Sequence, residues 1–355
     1  MENNSFKLFH LPFLAYEHIL KFMTIQKIVS LSVASQKVSR ILKLMNIKVK
    51  KLDIDWSWPS VITIIRSQTD CCYLELRDIR YRSYSSIHRD HIENTIAHVS
   101  EHCLKDCLQY SDHLEDVFKI EKIVDDFDVP ELKSKTVKKY LSSVLKRNHS
   151  NITIYDPANF DPVLFEYLME NADFNTNLKM DFDIPSNVRH ENMLKFKSFE
   201  YSDAGWMTVD DLKSIRNCDS VVLRDLNFTS EDLNNFLKFW VNCEFDMMKS
   251  LKISFFNAFS MNILLSGIVN IERDGRFYIM AKRKPGRQFL VASVRFEKSE
   301  IEFTTYLPEG RYEKKTSMLE LIEKKLDVEN RKSQLEREIR DAGSSEFDSL
   351  GFHGG

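Results

Sequence analysis

Glycine and proline are scarce in this chain: nine glycines and eight prolines in 355 residues. No Gly-x-Gly-x-x-Gly, Gly-x-x-x-x-Gly-Lys, Gly-x-Ser-x-Gly or His-Glu-x-x-His occurs. The backbone cradles, nucleophile elbow and zinc helix of many nucleotide-binding and hydrolytic enzymes are therefore missing. No apolar run reaches the length needed to cross a bilayer, and the opening MENNSFKLFH carries neither a basic leader nor an apolar signal core. Six cysteines in a chain this long fit reduced thiols inside a cell better than a disulfide framework, and no Cys-x-x-Cys pair of the kind zinc sites favour occurs. The Asn-x-Ser/Thr triplets at Asn148, Asn151 and Asn227 are then expected to stay unmodified. Excess charge is lacking too. A formal net charge of -3 gives no reason to expect nucleic acid or an anionic membrane as the main partner. The expectation is an intracellular protein, cytoplasmic and/or nuclear, with no cofactor.

What is present begins at Leu11–Met45. Pro12 suits a first helical turn. Ala15, Ile19, Phe22 and Met23 then fall at i, i+4, i+7 and i+8, one apolar helical face. Thr24 is placed to cap a second helix carrying Ile28 and Leu31. Ser35 is placed to cap a third, with Val38, Ile41, Leu42 and Met45 on one face. Three such short helices cannot bury their apolar surface alone. The unit must lean on the rest of the chain or on a partner.

Leu11-Pro12, Ile19-Leu20, Leu31-Ser32 and Ser35-Gln36-Lys37 together resemble an F-box. That helical module docks substrate receptors on the Skp-family adaptor of cullin–RING ubiquitin ligases. The resemblance implies adaptor contacts at Leu11, Pro12, Phe13, Ile19, Leu20, Ile28, Leu31 and Val38, some of which must instead face the following domain. The plain alternative is a helical cap on a larger fold.

Strand-like runs follow: Val49–Trp56, Cys72–Ile79, Ile152–Tyr155, Leu178–Ile184, Phe196–Tyr201, Val221–Leu226 and Leu251–Phe256. Amphipathic stretches between them predict parallel strands with helices outside. The last three runs are spaced like leucine-rich-repeat units, irregularly and without an asparagine ladder. The reading is an irregular strand–helix repeat, with a compact α/β domain as the alternative.

Within residues 207–253, Thr208 with Asp211 and Thr229 with Asp232 look like capping boxes with aspartate as the acid. Leu233, Phe236, Leu237 and Trp240 form an apolar stripe at i, i+3, i+4 and i+7. The acids here suit helix N-termini and need no chemical role. Thr208-Val209-Asp210-Asp211-Leu212, Leu223-Arg224-Asp225-Leu226-Asn227 and Asn234-Asn235-Phe236-Leu237-Lys238-Phe239-Trp240 are similar to the F-box-associated domain type 2 of nematode F-box families, over roughly residues 205–275. The resemblance implies a receptor that holds a target protein while the F-box docks on the ligase.

Beyond Ile268 the period becomes two, giving strands at Ile268–Glu272, Arg276–Met280, Gln288–Phe296 and Glu300–Tyr306, with a hairpin turn at Asp274-Gly275. The basic run Lys282–Arg287 reads as a localisation or nucleic-acid patch or, more simply, as a charged hairpin loop with Pro-Gly turn chemistry. Lys314–Asp341 reads as a charged helix with Leu321, Val328 and Leu335 every seven residues, but the companion positions hold Lys325 and Lys332.

The strongest chemical cluster is His88, His91, His98, His102, Cys103 and Cys107. On a helix His98 and His102 would share a face, as would Cys103 and Cys107, a set that zinc can use but that plain helical packing explains more simply. No cysteine announces an electropositive, accessible setting. The combined expectation is an α/β (α+β) chain divided as follows: F-box 6–46, strand–helix region 47–204, F-box-associated core 205–275, β-hairpin extension 276–310, C-terminal helix 311–342 and disordered tail 343–355. It would act as a non-catalytic adaptor binding a Skp-family protein and an unknown protein substrate. A ligase-free interaction scaffold, or a metal- or nucleic-acid-binding protein, is the alternative.

Overall fold

The computed structural model describes residues 12–56, 60–78, 94–128, 134–147, 150–155, 162–255, 259–297 and 299–349. The chain divides into two compact units, Met1–Asp203 and Ala204–Gly355.

In the first unit, helices α1 (Phe13–Phe22), α2 (Ile25–Ala34) and α3 (Gln36–Met45) lead into strands β1 (Lys48–Val49), β2 (Lys51–Asp55), β3 (Ser60–Ser67), β4 (Asp70–Asp78) and β5 (Thr95–Ser100). Then come α4 (Cys103–Val117), β6 (Lys119–Ile120), β7 (Ile123–Asp128), α5 (Ser134–Val144), β8 (Asn151–Tyr155), α6 (Pro162–Asn171), β9 (Asn177–Asp181) and β10 (Ser198–Tyr201). β1 and β6 form a small parallel pair, while the main sheet of this unit runs β10-β9-β8-β7-β2-β3-β4-β5. From β10 through β2 every pairing is parallel, and β2/β3 and β3/β4 are antiparallel. In this unit α5 connects β7 to β8 and α6 connects β8 to β9, β9 reaches β10 with no helix between them, and the pairing β7-β8-β9-β10 follows chain order.

Alternation explains the hairpin strands: Leu52 and Ile54, Ile62 and Ile64, and Cys72, Leu74 and Leu76 are all buried. In β8 the burial is continuous over Ile152, Thr153 and Ile154, as in a parallel strand covered on both faces. One asparagine rung exists after all: Asn151 and Asn177 are register partners, and the Asn177 amide donates to the Asn151 side chain at 3.2 Å. Strand β3 has an evident signal in its β-branched run Val61–Ile65, left out of the sequence reading. β7 is a different case. Its aspartates argue against a strand, yet buried Asp125 accepts the Trp56 indole N–H at 2.9 Å, and Trp56 stacks on Phe127 with ring centres 5.5 Å apart. A buried carboxylate with a donor is tolerable where an unpaired one is not.

The second unit contains α7 (Val209–Ser214), β11 (Cys218–Leu226), α8 (Ser230–Asn242), β12 (Met248–Phe255), α9 (Met261–Leu264), β13 (Asn270–Arg273), β14 (Arg276–Met280), β15 (Val291–Glu297), β16 (Glu300–Tyr306) and α10 (Glu313–Ser349). Its strands run β13-β14-β15-β16-β12-β11, antiparallel except for β11/β12. β16 alternates cleanly, with Ile301, Phe303 and Thr305 turned inward. The β13–β14 turn has Asp274 at φ 54° and Gly275 at φ 69°, the two left-handed residues a type I′ turn requires. The terminal helix is longer than expected and continues to Ser349 through part of the segment read as a tail. Glu338–Ser349 contains no proline, so nothing forbids a helix already propagating from continuing.

Candidate interaction surface

The three N-terminal helices belong to the first unit and are docked on it, not free-standing. The sequence assigns the caps of α2 and α3 to Thr24 and Ser35. Both occupy N-cap positions, but neither side chain makes a capping hydrogen bond. At α2 the job is done from β4. The Asp70 carboxylate accepts the Ile25 N–H at 2.9 Å and ion-pairs with Arg66, which donates to the Met23 carbonyl at 2.8 Å. This strap fixes the α1–α2 corner to the β3–β4 hairpin. On the other side Lys43 of α3 pairs with Asp116 of α4, and His113 of α4 meets the Ser32 hydroxyl at 3.2 Å. Burial lowers the His113 pKa, partly opposed by Asp116.

Docking decides which expected contacts are available. Leu20, Ile28 and Val38 are at most 1% exposed and pack inside the unit, so as surface contacts they are corrected: the face that anchors the module consumes them. Pro12 is exposed, Ile19 is 37% exposed and Leu31 half-buried. Leu11 lies outside the described residues; the backbone of Phe13 is described, its side chain is not. The large apolar side chains that face solvent are Leu14 at 77% and Phe22 at 80% on α1, Val33 at 43% on α2 and Leu44 at 74% on α3; periodicity singles out only Phe22 of these, and none is among the expected contacts. Leu14, His18 and Phe22 form an i, i+4, i+8 ridge, with the His18 and Phe22 rings edge to face at 5.1 Å. Exposure was not legible because amphipathic periodicity identifies a stripe without saying which neighbour covers it.

Between α2, α3, α4 and β5 lies a polar groove of about 400 Å³ that includes Gln36, His98, Asp106, Tyr110 and His113. Here the helical His/Cys cluster is corrected. His98 sits in β5, 3.7 Å from Asp106, and His102 is the residue before α4, because the extended run Thr95–Ser100 pairs with β4. Cys103 and Cys107 are buried at the start of α4, where burial pushes the Cys107 thiol well up. Cys72 and Cys218 are likewise raised to about 12 by burial, which disfavours thiolate. His88 and His91 lie outside the described residues; among those described, no three His, Cys, Asp or Glu side chains converge as metal ligands would.

In the second unit both expected capping boxes form. Thr208 accepts the Asp211 N–H at 3.2 Å and Asp211 accepts the Thr208 N–H at 2.8 Å; Thr229 and Asp232 repeat this at 3.1 and 2.9 Å. Asn234 is buried and donates to the carbonyls of Leu264 at 2.7 Å and Ser266 at 2.9 Å, tying α8 to α9. Phe236 and Trp240 meet Phe303 edge to face, at 5.8 and 5.1 Å. The motif residues are therefore core and cap residues. The basic loop is also internally occupied: Arg287 is buried, lies over the Trp240 ring at 4.6 Å and donates to the Cys243 carbonyl at 2.8 Å. Arg283 pairs with Glu320 and Lys284 with Glu244, at 2.8 and 3.3 Å. Three of its four cations, Arg283, Lys284 and Arg287, are engaged by the unit that carries them.

These capped helices and the strands between them define a recognisable class of domain. Residues 187–253 match the family model described as F-box associated, beginning before and ending short of the 205–275 read from the sequence. The chain is also similar to the Skn-1 dependent zygotic transcript 15 protein of Caenorhabditis elegans, 31% identical over 143 residues. The match takes in 38% of this chain and 40% of that protein, so the chain spans well under half the length of the curated relative it matches. No solved structure matches the chain. Among the described residues, no helix is long and apolar enough to cross a membrane.

Proposed function

We propose that this protein is a non-catalytic substrate receptor of a cullin–RING ubiquitin ligase. In this reading the N-terminal helices are an F-box that docks on a Skp-family adaptor, and the downstream strands and helices hold a target protein. The observation that carries it is the exposed Leu14–Phe22 ridge, with Leu44 on the third helix, on a module whose opposite face is already anchored. Large apolar side chains left in solvent beside a satisfied core call for a partner. The F-box-associated match downstream supports the choice of partner class. Catalysis would come from holding the target near the ubiquitin-charged enzyme, so no side chain here need be reactive.

The test is co-purification with a Skp-family adaptor, comparing the intact chain with a Leu14→Asp, Phe22→Asp variant whose folding is checked by circular dichroism. Binding by the intact chain and its loss in the folded variant support the reading. No binding by the intact chain, or equal binding by both, sinks it. A repeat-like interaction scaffold outside any ligase is the second reading, favoured by the parallel, chain-order series β7–β10. It predicts target binding without adaptor binding.

A further inference from the structure

Past its first three turns α10 buries nothing among the described side chains, yet it is not uniformly polar there. From Lys324 to Arg340 every residue is exposed. Only the first turns pack on the unit, with Leu319 fully buried and forming a cluster with Tyr278 and Val291. Apolar side chains recur along the exposed length: Met318 52%, Leu321 66%, Val328 68%, Leu335 51% and Ile339 72% exposed. A helix with one satisfied face and a second, unsatisfied stripe is built for two neighbours.

The stripe has coiled-coil spacing. Leu321, Val328 and Leu335 take the d positions of successive heptads, and Met318, Lys325, Lys332 and Ile339 take the a positions. With about 100° between residues, all of these point within roughly 80° of the direction opposite Leu319. The seam therefore faces away from the unit that α10 is packed on. The two seam lysines are drawn to its edge: Lys325 lies 3.8 Å from Glu329 and Lys332 lies 3.9 Å from Glu336, one turn on along the same helix. Their aliphatic stems can line the seam while the ammonium groups stay in water.

The flanking charges select the partner. Lys324 and Arg331 occupy g positions, while Glu329 and Glu336 occupy e positions. In a parallel, in-register pair each g residue faces the e residue of the following heptad on the other helix. That sets Lys324 against Glu329 and Arg331 against Glu336, on both sides of the seam. An antiparallel pair would set g against g and e against e: Glu329 and Glu336 could then meet no cation, and although Glu338, also a g residue, could meet Lys324, that register sets Arg331 against Arg331. The helix is thus complementary to itself in one orientation, which is the property a second copy of the same chain supplies.

We propose that α10 is a dimerisation element, joining two copies of this protein through a parallel two-stranded coiled coil over residues 318–339. Polar lysines at two a positions weaken such a pair while favouring a defined register. The dimer is therefore a modest, concentration-dependent one. This inference is independent of any ligase association.

The experiment uses the full chain in sedimentation equilibrium from about 1 to about 100 µM, a window suited to a micromolar dissociation constant. The wild type is expected to pass from monomer to dimer across it. Two charge-reversed chains, K324E with R331E and E329K with E336K, should each dissociate at least about tenfold more readily, because every g–e contact becomes repulsive. Mixing the two should restore dimers, now heterodimers, and combining all four substitutions in one chain should restore self-association. Circular dichroism confirms that the variants keep their helix content, and L321D with L335D removes the seam without touching the flanking charges. A wild type that stays monomeric to the top of the range overturns the proposal. So does a dimer that neither the charge reversals nor the seam substitutions weaken, since its interface would lie elsewhere.

Discussion

Removing the Asp70 carboxylate should release the N-terminal helices locally without unfolding the unit. In Asp70→Ala the Ile25 N–H loses its acceptor, and loss of an N-cap typically costs about 1 kcal/mol. The ion pair with Arg66 also goes; both side chains are partly exposed, at 27% and 18%, so screening limits its worth to about 0.5 kcal/mol. Together roughly 1.5 kcal/mol corresponds to about a tenfold rise in the population in which α1 and α2 detach. Asp70→Asn separates the two contributions: its side-chain oxygen can still cap Ile25, so the rise should stay below about threefold. The assay is hydrogen exchange read by mass spectrometry on peptides spanning residues 12–34, with peptides from the second unit as internal control. A sub-threefold effect in Asp70→Ala, or equal effects of Ala and Asn, would refute the view that the strap holds the module through a cap.

Four further outcomes follow from the same geometry. Asn234→Ala should lower the stability of the second unit by about 2 kcal/mol in thermal or urea unfolding, because it strips the amide that serves the Leu264 and Ser266 carbonyls. Trp240→Ala should cost about 3–5 kcal/mol, as it empties the space against Phe303 and leaves Arg287 without its ring; a loss under 1 kcal/mol would contradict the packing described. Gly275→Ala should cost about 1 kcal/mol from backbone conformation alone, since φ is 69° and a Cβ there meets nothing within 4 Å. His113 has its pKa lowered in the fold, so its neutral form is favoured there: the stability it contributes is present above its unfolded value near 6.5 and falls as pH drops through the folded value. His113→Gln should flatten that acid-side loss, measured as the unfolding midpoint between pH 7 and pH 5 (about the range in which an ordinary histidine titrates).

What the sequence made legible were features whose cause is local. The capping boxes at Thr208 and Thr229, the Asp274-Gly275 turn and the inward face of α8 each depend on residues a few positions apart, and each forms as read. What stayed hidden depends on residues far along the chain. Asp70 caps Ile25 across 45 positions, displacing the local candidate Thr24. Asp125 makes an aspartate-rich segment a strand because Trp56, 69 positions away, supplies a donor. His98 and His102 fit a helical pair until β4 claims Thr95–Ser100 as its neighbour.

The same division explains why three of the expected contacts, Leu20, Ile28 and Val38, turned out to be core while the F-box-associated resemblance found a matching family model. The residues that carry the F-box-associated resemblance are buried or capping: Asn234, Phe236, Leu237 and Trp240 are all at most 6% exposed. A pattern of this kind persists because the fold requires it, and it is readable because core spacing is regular. Leu20, Ile28 and Val38 belong to that regular pattern too, which is why they stood out and why they face inward. Solvent-facing residues such as Leu14 and Leu44 are conspicuous only once the inward face is known, for exposure is a property of the assembled unit and not of spacing. A target-binding face would follow the same logic: it should be sought among exposed side chains the family pattern leaves free, not among the motif residues themselves.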